Sequence, residues 1–426
     1  MRKMKDSGLQ WAGDIPQYWN TAKGKYFMAV LERPVRDDDS VITCFRNGEV
    51  TLRSNRREDG FTVATVEAGY QGIEPGDLVV HGMDGFAGAI GISDSRGKGT
   101  PALNVLSCSE NKKYIMYLLR AMAYTEVFMA LSTGIRVRTC DTNWKKLKSL
   151  DYLIPPADEQ QCIADFLDGK CAEIDALAAD IQAQIDTLEQ YKRSVITETV
   201  TKGLNPNAEM KDSGIEGVGK TPSHWKTTRL CYECYIRARL GWRGLKADEY
   251  VEEGYAFISA FNIQNGKLVW TPLNYITKER FDESPEIKLQ IGDLLIVKDG
   301  AGVGKSARVD ELPMGGTAPN SSIAVITPSK NQDYRYVCYY LQSAVFNNFV
   351  LLLHNGMGVP HLTQEIMNKI KILIPPIKEQ MAISDYLDAK CAEIDAAAEA
   401  KRQQLTTLDE YKKSLIFEYV TGKKEV

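Results

Sequence analysis

Two long stretches of the chain place apolar residues every three or four positions, and each stretch follows an Ile-Pro-Pro triplet. The first runs from Ile154 to Gly203, contains no proline after its opening triplet and is rich in Ala, Glu, Gln and Leu. This pattern is typical of a long amphipathic helix that packs along a coiled-coil seam. The positions predicted to pack between the helices are Ile174, Leu177, Ile181, Leu188, Tyr191 and Val195 in the first stretch and Ile394, Ala397, Leu408, Tyr411 and Leu415 in the second.

Gly169 predicts a break or a bend in the first helix, with a short helix before it and a long one from about Cys171, because glycine is a poor helix former. Ala389 occupies the matching place in the second stretch and predicts less bending there. Neither helix would be stable alone, so we expect the two to pack on each other in antiparallel orientation. A rod of about 30 residues spans about 45 Å and would fix the distance between attached domains. The alternative is a generic helical hairpin that only dimerises the protein.

The chain is built twice. Ile154 to Thr201 returns as Ile374 to Thr421 with 27 identities in 48 positions, and Met4 to Thr21 matches Met210 to Thr227 at 9 of 18 positions. A period of this length is too long for a solenoid, so each copy is a whole domain followed by a helix. The predicted divisions are a first domain over 1–153, a first helical spacer over 154–204, a second domain over 205–373 and a second helical spacer over 374–426.

The blocks between these repeated segments, residues 22–153 and 228–373, share a layout and little sequence. Each has strand-like runs around a Gly-Asp pair, at Gly76-Asp77 and Gly292-Asp293, then a glycine loop, another strand and an amphipathic helix. Those helices are predicted over about 112–131 and 333–353. The expected fold is α+β: two mixed α/β domains joined by two long antiparallel coiled-coil helices with pseudo-two-fold symmetry. Divergent blocks on a repeated framework indicate two different targets held at a fixed separation.

Charge is divided unevenly along the chain, whose net charge is −4. The helical repeats carry 4 Lys and Arg against 10 Asp and Glu (−6) and 8 against 10 (−2), whereas the preceding domains carry 21 against 18 (+3) and 19 against 18 (+1). The acidic helices therefore mask two mildly basic domains, which is compatible with nucleic-acid binding. The candidate DNA contacts are the basic residues near predicted loops: Arg53, Arg56, Arg57, Arg96, Lys98, Arg136, Arg138, Arg237, Arg239, Arg243, Lys298, Lys305 and Arg308.

Neither a membrane span nor a secretory signal is expected, since no apolar run approaches about 18 residues. Nine cysteines without a framework spacing favour a reducing cytoplasm. Motifs for catalysis are equally lacking. Asp299 to Ser306 is one glycine short of a phosphate-binding loop and is not followed by a helical pattern, while Cys231 and Cys234 have no second pair to complete a zinc site. We therefore predict no catalytic residue and no metal site.

The double arrangement resembles the specificity subunits of type I restriction-modification systems, the HsdS family. The likeness lies in Lys5-Asp6-Ser7-Gly8 with Ile15-Pro16 and Trp19, in Lys211-Asp212-Ser213-Gly214 with Pro222 and Trp225, and in each Ile-Pro-Pro triplet followed by Glu159-Gln160 or Glu379-Gln380. It covers essentially the whole chain. Thr221, where the first copy has Ile15, is a departure.

The resemblance implies a DNA-reading subunit without an active site of its own. Each block would be a target recognition domain for half of a bipartite site in double-stranded DNA, and the paired helices would set the gap. Two methyltransferase subunits would dock along the helices, and restriction subunits would complete the nuclease. No cofactor is expected on this chain, since S-adenosylmethionine, ATP and Mg would be bound by the partners. The alternatives are a P-loop ATPase centred on Lys305 and a coiled-coil scaffold that binds no DNA.

Overall fold

The computed structural model describes residues 2–56, 67–130, 142–238, 245, 249–300, 302–353 and 361–426. The chain divides into two compact units. The first unit comprises Met1–Gln182 with Gln403–Val426, and the second comprises Ala183–Arg402. Each unit thus contains one block together with a segment of each long helix.

The first unit is built around a four-stranded antiparallel sheet in the order β4-β11-β8-β9, with Val105 opposite Val79 and Leu106 opposite Val30. Its strands are β1 (Met4–Asp6), β2 (Asp14–Pro16), β3 (Asn20–Lys23), β4 (Met28–Val30), β5 (Ile42–Cys44), β6 (Val50–Leu52), β7 (Gln71–Ile73), β8 (Leu78–His81), β9 (Ile90–Ile92), β10 (Gly97–Gly99), β11 (Leu103–Cys108) and β12 (Asp151–Ile154). Its helices are α1 (Lys112–Tyr124), α2 (Val127–Ala130) and α3 (Trp144–Leu147), and α4 (Ala157–Lys202) begins here.

The second unit repeats this topology, since its main sheet has the order β16-β24-β21-β22. Its strands are β13 (Met210–Asp212), β14 (Lys220–Pro222), β15 (Lys226–Arg229), β16 (Cys234–Arg237), β17 (Tyr255–Ile258), β18 (Ile263–Gln264), β19 (Lys267–Leu268), β20 (Asn274–Ile276), β21 (Leu294–Val297), β22 (Ser306–Arg308), β23 (Thr317–Pro319), β24 (Ile323–Pro328) and β25 (Lys371–Ile374). Its helices are α5 (Leu230–Glu233), α6 (Lys278–Asp282), α7 (Tyr334–Gln342), α8 (Ala344–Leu353), α9 (Gln364–Lys369) and α10 (Ile377–Val420), which ends in the first unit. A second sheet, β20-β17-β23, is inserted in this block.

The Gly-Asp pairs form the same turn in both units. Gly76 and Gly292 have φ values of 84° and 91°, which only glycine adopts readily. The aspartate that follows is buried and accepts a hydrogen bond from a backbone amide three residues earlier, at 2.9 Å for Asp77 and 2.8 Å for Asp293. The turn therefore places a buried carboxylate at the start of a central strand of each sheet.

Helix α4 is continuous from Ala157 to Lys202, so the predicted break at Gly169 is wrong. Gly169 is exposed, and a Cβ added there would meet nothing within 4 Å. Its helical cost of about 1 kcal/mol is outweighed by the burial of Leu167 and Cys171 on either side.

The two block helices are shorter than predicted. Helix α1 ends at Tyr124, and Glu126 has a φ of 60° before the short α2 begins. In the second unit Asp333 caps α7, and Ser343 adopts an extended conformation that separates α7 from α8. The pattern predicted each amphipathic segment and missed the interruption within it.

In each unit a segment of α4 packs antiparallel on a segment of α10. Lys412 Nζ lies 2.6 Å from Asp175 Oδ1 in the first unit, and Lys192 Nζ lies 2.6 Å from Asp395 Oδ1 in the second. Because the helices repeat with an offset of 220 residues, these are the same ion pair formed twice. The predicted antiparallel pairing is therefore present within each unit.

The seam between the helices includes seven of the eleven predicted residues. Ile174, Ile181, Ile394 and Leu415 are buried, and Leu188, Val195 and Leu408 are partly buried. The prediction is wrong for the other four, which are exposed: Leu177, Tyr191, Ala397 and Tyr411. Their places are taken by residues one position later, Ala178 and Lys192 on α4 and Ala398 and Lys412 on α10.

Each block is fixed by equivalent hydrogen bonds to a neighbouring strand and to the end of one long helix. The Tyr114 hydroxyl donates to the carbonyls of Leu153 and Val420, at 3.1 and 3.2 Å. In the second unit Tyr336 donates to the carbonyls of Leu373 and Val200, at 2.8 and 3.3 Å. Both tyrosines are fully buried, in core clusters that join part of each block to the helix segments.

The repeated Glu-Gln pair forms a second anchor. Gln160 accepts a hydrogen bond from the Asn111 amide at the start of α1 and donates to the Pro155 carbonyl, at 3.0 and 2.9 Å. Gln380 makes the same contacts with Asp333 and Pro375, at 3.0 and 2.8 Å. These glutamines explain why the pair follows each Ile-Pro-Pro triplet.

Candidate nucleic-acid interface

Lys98 lies on β10 and Arg96 immediately precedes this strand. Both bind carboxylates of the first unit. Arg96 Nε and Nη2 lie 3.0 and 3.1 Å from the two Asp39 oxygens, and a further hydrogen bond joins Arg96 to Glu74. The Arg96 hydrogen bonds hold the pKa of Asp39 below its usual value, although burial opposes them. Lys98 Nζ lies 2.6 Å from Glu67. These two cations are already neutralised within the fold, which disfavours a role in phosphate binding.

Arg237 and Arg308 are also structural. Arg237 Nη2 lies 2.7 Å from Asp293 Oδ2, and the two side chains are 9% and 0% exposed. This buried pair corresponds to Arg33 and Asp77 in the first unit. Arg308 binds Asp310 at 2.7 Å and Asp388 of α10 at 2.8 Å. Arg308 therefore attaches the second block to the helix.

Arg53 and Arg56 lie after β6 on the surface of the first unit. Arg53 Nε donates to Thr43 Oγ1 at 3.0 Å. The Arg56 guanidinium lies 4.3 Å from the centre of the Phe45 ring and 3.3 Å from Glu49. Its side chain is exposed and could exchange Glu49 for a phosphate at little cost, since surface ion pairs contribute only about 0–1 kcal/mol.

A cavity of about 380 Å³ opens in the second unit beside the end of β21. Its lining includes Tyr235, Lys298, His361 and Gln364. The exposed His361 imidazole is hydrogen-bonded to the Asp299 carboxylate, and burial lowers the pKa of Lys298. An aromatic face, an ammonium and amide or imidazole donors suit contacts with base edges and phosphates. This cavity is the candidate DNA-reading surface of the second unit.

Lys305 is exposed at the end of the loop between β21 and β22, and it forms no ion pair with a described residue. Ser306 begins a strand, so the loop lacks the helix N-terminus that would hold a nucleotide phosphate. This agrees with the sequence argument against a P-loop. Five candidates lie outside the described residues: Arg57, Arg136, Arg138, Arg239 and Arg243.

Among the described residues, no group of three or more His, Cys, Asp or Glu side chains could hold a metal ion. None of the helices in this part of the chain has the length and apolarity needed to cross a membrane.

Comparisons with known proteins show which proteins this chain resembles. Residues 241–407 match the family model described as the type I restriction modification DNA specificity domain. The putative type I restriction enzyme MjaX specificity subunit of Methanocaldococcus jannaschii is 25% identical over 97% of this chain and 95% of its own length. The MjaVIII specificity subunit of the same organism is 24% identical, over 74% of this chain and 72% of its own length.

The EcoKI specificity subunit of Escherichia coli is 26% identical over 48% of this chain and 44% of its own length. A solved structure described as showing complex assembly and conformational transition of the type I R-M system shares the fold. Its TM-score is 0.68 at 15% identity, over 96% of this chain and 99% of that one. The repeated framework with two divergent blocks is thus similar, over almost the whole chain, to type I restriction-modification specificity subunits.

Proposed function

We propose that the chain is the DNA-recognition subunit of a type I restriction-modification complex and that it selects a bipartite, asymmetric site. One observation carries the proposal: the two units share sheet order, turns and helix anchors and differ in the blocks. The blocks, residues 22–153 and 228–373, differ in length (132 against 146 residues) and in the inserted β20-β17-β23 sheet. Different surfaces on one framework suit two different half-sites.

Methyl transfer and cleavage would belong to partner subunits under this proposal. The chain would direct two methyltransferase subunits, one for each copy of the framework, and restriction subunits would join them. S-adenosylmethionine, ATP and Mg would be bound by those partners. This division is supported by the absence of a catalytic motif in the sequence. We find no observation that favours an ATPase centred on Lys305 or a scaffold without DNA.

In the second unit the half-site would be read at the cavity beside β21. Tyr235, Lys298 and His361 offer stacking and hydrogen-bonding groups there, whereas Arg237 behind them is committed to Asp293. We expect His361→Ala to relax the sequence requirement in one half-site and to leave the other unchanged. Methylome sequencing of cells that express the variant with its methyltransferase measures this, with exposed Lys330→Ala as the matched control.

The central test exchanges a whole block. Replacing residues 22–153 with the corresponding block of another family member should change one half of the methylated sequence and preserve the other half. A palindromic wild-type site, or a change in both halves, would contradict the proposal. The purified chain alone should transfer no methyl group from labelled S-adenosylmethionine, whereas adding the methyltransferase should give site-specific transfer.

A further inference from the structure

Five lysines distant in the sequence form one surface cluster in the first unit, which we call the lysine patch: Lys23, Lys25, Lys145, Lys146 and Lys148. Strand β3 pairs with β12, so Lys23 lies opposite Asp151. Just beyond this pairing, the Lys25 amide donates to the Lys148 carbonyl at 3.0 Å. Lys145 and Lys146 lie on α3, immediately before Lys148. The backbone contacts therefore bring two basic segments, more than a hundred residues apart, onto one surface.

The patch is strongly positive and accessible. Four of the lysines are exposed and Lys146 is partly buried. Within the segments 20–27 and 143–154 the only carboxylate is Asp151, which lies 3.5 Å from Lys23. Tyr26 is 72% exposed, and Lys25 Nζ lies 5.0 Å from its ring centre. Clustered ammonium groups around an exposed aromatic ring are typical of a nucleic-acid contact.

The second unit keeps the scaffold of this surface with about half of its net positive charge, +2 against +4 over the equivalent segments. Tyr232 is as exposed as Tyr26, at 72%. Residues Glu365, Ile366 and Asn368 stand where the first unit has Lys145, Lys146 and Lys148. Two of the lysines that remain are paired, Lys226 with Glu233 at 3.0 Å and Lys369 with Glu365 at 2.6 Å, whereas Arg229 and Lys371 stay exposed. Since the same local fold forms without the lysines, folding does not explain their presence in the first unit.

We infer that the lysine patch binds the DNA phosphate backbone next to the first half-site. The first unit then supplies the larger share of the sequence-independent affinity, and the second unit depends more on its base contacts. This inference rests on the proposed DNA-recognition function. Phosphate contacts fix position and carry no sequence information directly. Each phosphate neutralised by a lysine releases a condensed counterion, so the patch makes binding depend on salt.

The test measures DNA affinity against salt for the complex of the chain with its methyltransferase. In the variant K145Q/K146Q/K148Q, the slope of log K against log salt should become shallower by about 0.9 for each lost contact, or about 2.7 for all three. Affinity for the methylated sequence and for a scrambled duplex should fall by the same factor. The sequence that is methylated should stay the same.

The matched control is K3Q/K5Q/K170Q, which removes three exposed or partly exposed lysines of the first unit outside the patch and should leave the slope unaltered. K23Q/K25Q provides a second patch variant if the triple variant folds poorly, with an expected loss of up to about 1.8 in slope. An unchanged slope in both patch variants would overturn the inference. So would loss of methyltransferase binding with a normal slope in the complex that still forms, because the patch would then be a protein contact. If the wild-type complex fails to bind DNA, the proposed function itself fails.

Discussion

Basic side chains in the two blocks divide into those that bind carboxylates of the same chain and those that face solvent. Sequence alone does not separate these groups, because the partner is distant along the chain: Arg96 binds Asp39, and Arg308 binds Asp388. The same difficulty hid the lysine patch, whose two halves meet only through the β3-β12 pairing. Basic residues near loops could be predicted from the sequence, but their availability depends on the tertiary fold.

The buried ion pair of Arg237 with Asp293 predicts that replacing Arg237 lowers the stability of the second unit. Arg237→Met should lower the free energy of unfolding of the second unit by about 3 kcal/mol, because it leaves Asp293 buried without its cation. Urea denaturation measures the change. Lys305→Met, at an exposed residue, should change stability by less than about 0.5 kcal/mol. Equal stability of the two variants would show that the Arg237 pair does not support the fold.

Cysteine reactivity tests the burial of both blocks. Cys162 is exposed on α4, whereas burial raises the pKa of Cys44, Cys234 and Cys338 to about 12. Because the thiolate is the reactive form, a thiol reagent at pH 8 should modify Cys162 first. The three buried thiols should react only after unfolding. Mass spectrometry of tryptic peptides identifies the sites, with Cys162→Ser as control. Faster labelling of Cys234 in the native protein would contradict the structure.

At the level of elements, both long helices could be predicted from the sequence, yet four of the eleven seam positions were placed one residue too early. Leu177 and Tyr191 fit an apolar heptad on their own helix but are exposed. Lys192 lies in the seam instead, because its stem packs between the helices and its ammonium reaches Asp395. A lysine in a seam becomes predictable only when the opposite aspartate is known.

Asp388 and its counterpart Asp168 each attach a block to a long helix, and replacing each with asparagine should have unequal effects on stability. Asp388 of α10 accepts hydrogen bonds from Tyr339 at 2.6 Å and from Arg308 and Arg335 at 2.8 and 3.0 Å. Among the described residues, its counterpart Asp168 binds Tyr117 and Lys113 and no arginine. Asp388→Asn should therefore destabilise its unit by about 2 kcal/mol at neutral pH, and Asp168→Asn should cost less. Chemical denaturation of both variants provides the comparison.

The effect of Asp388 should depend on pH. Burial raises the pKa of Asp388, but the hydrogen bonds from Tyr339 and Arg308 outweigh it and leave the pKa below its usual value. A carboxyl whose pKa is depressed by folding stabilises the protein above its unfolded pKa of about 4 and loses that contribution as pH falls through the folded value. The difference in free energy of unfolding between wild type and Asp388→Asn should thus shrink below about pH 4. A constant difference down to pH 2 would exclude this origin.

At the scale of the whole molecule, the duplication and the α+β class could be predicted because the framework repeats in sequence. The shared sheet order of the blocks could not, since their strands are short and the second block carries an inserted sheet. The sequence pattern matches Gly76-Asp77 with Gly292-Asp293, but only the structure shows that each aspartate is buried and binds an arginine.

The proposal that the long helices set the separation of the half-sites can be tested by lengthening both. Four residues inserted after Gln182 in α4 and four after Arg402 in α10 add about 6 Å to each helix where the two units meet in sequence. The unread spacer of the methylated site should grow by one or two base pairs, and the bases in each half should stay the same. The same insertion after Asn207, outside the helices, should leave the spacer unaltered. Full methylation at an unchanged spacer after the helix insertions would show that the helices do not measure the gap.

The tyrosine anchors have a consequence for how such a protein changes over generations. Tyr114 and Tyr336 are bound by main-chain carbonyls, which every amino acid carries, so this part of the attachment places no demand on side chains of the helices. Natural selection can therefore act on the DNA-facing loops almost independently of assembly. A recombinant gene that acquires a foreign block with a tyrosine at this place keeps the hydrogen bond to the helix backbone. The cell then gains a new specificity in a single genetic event.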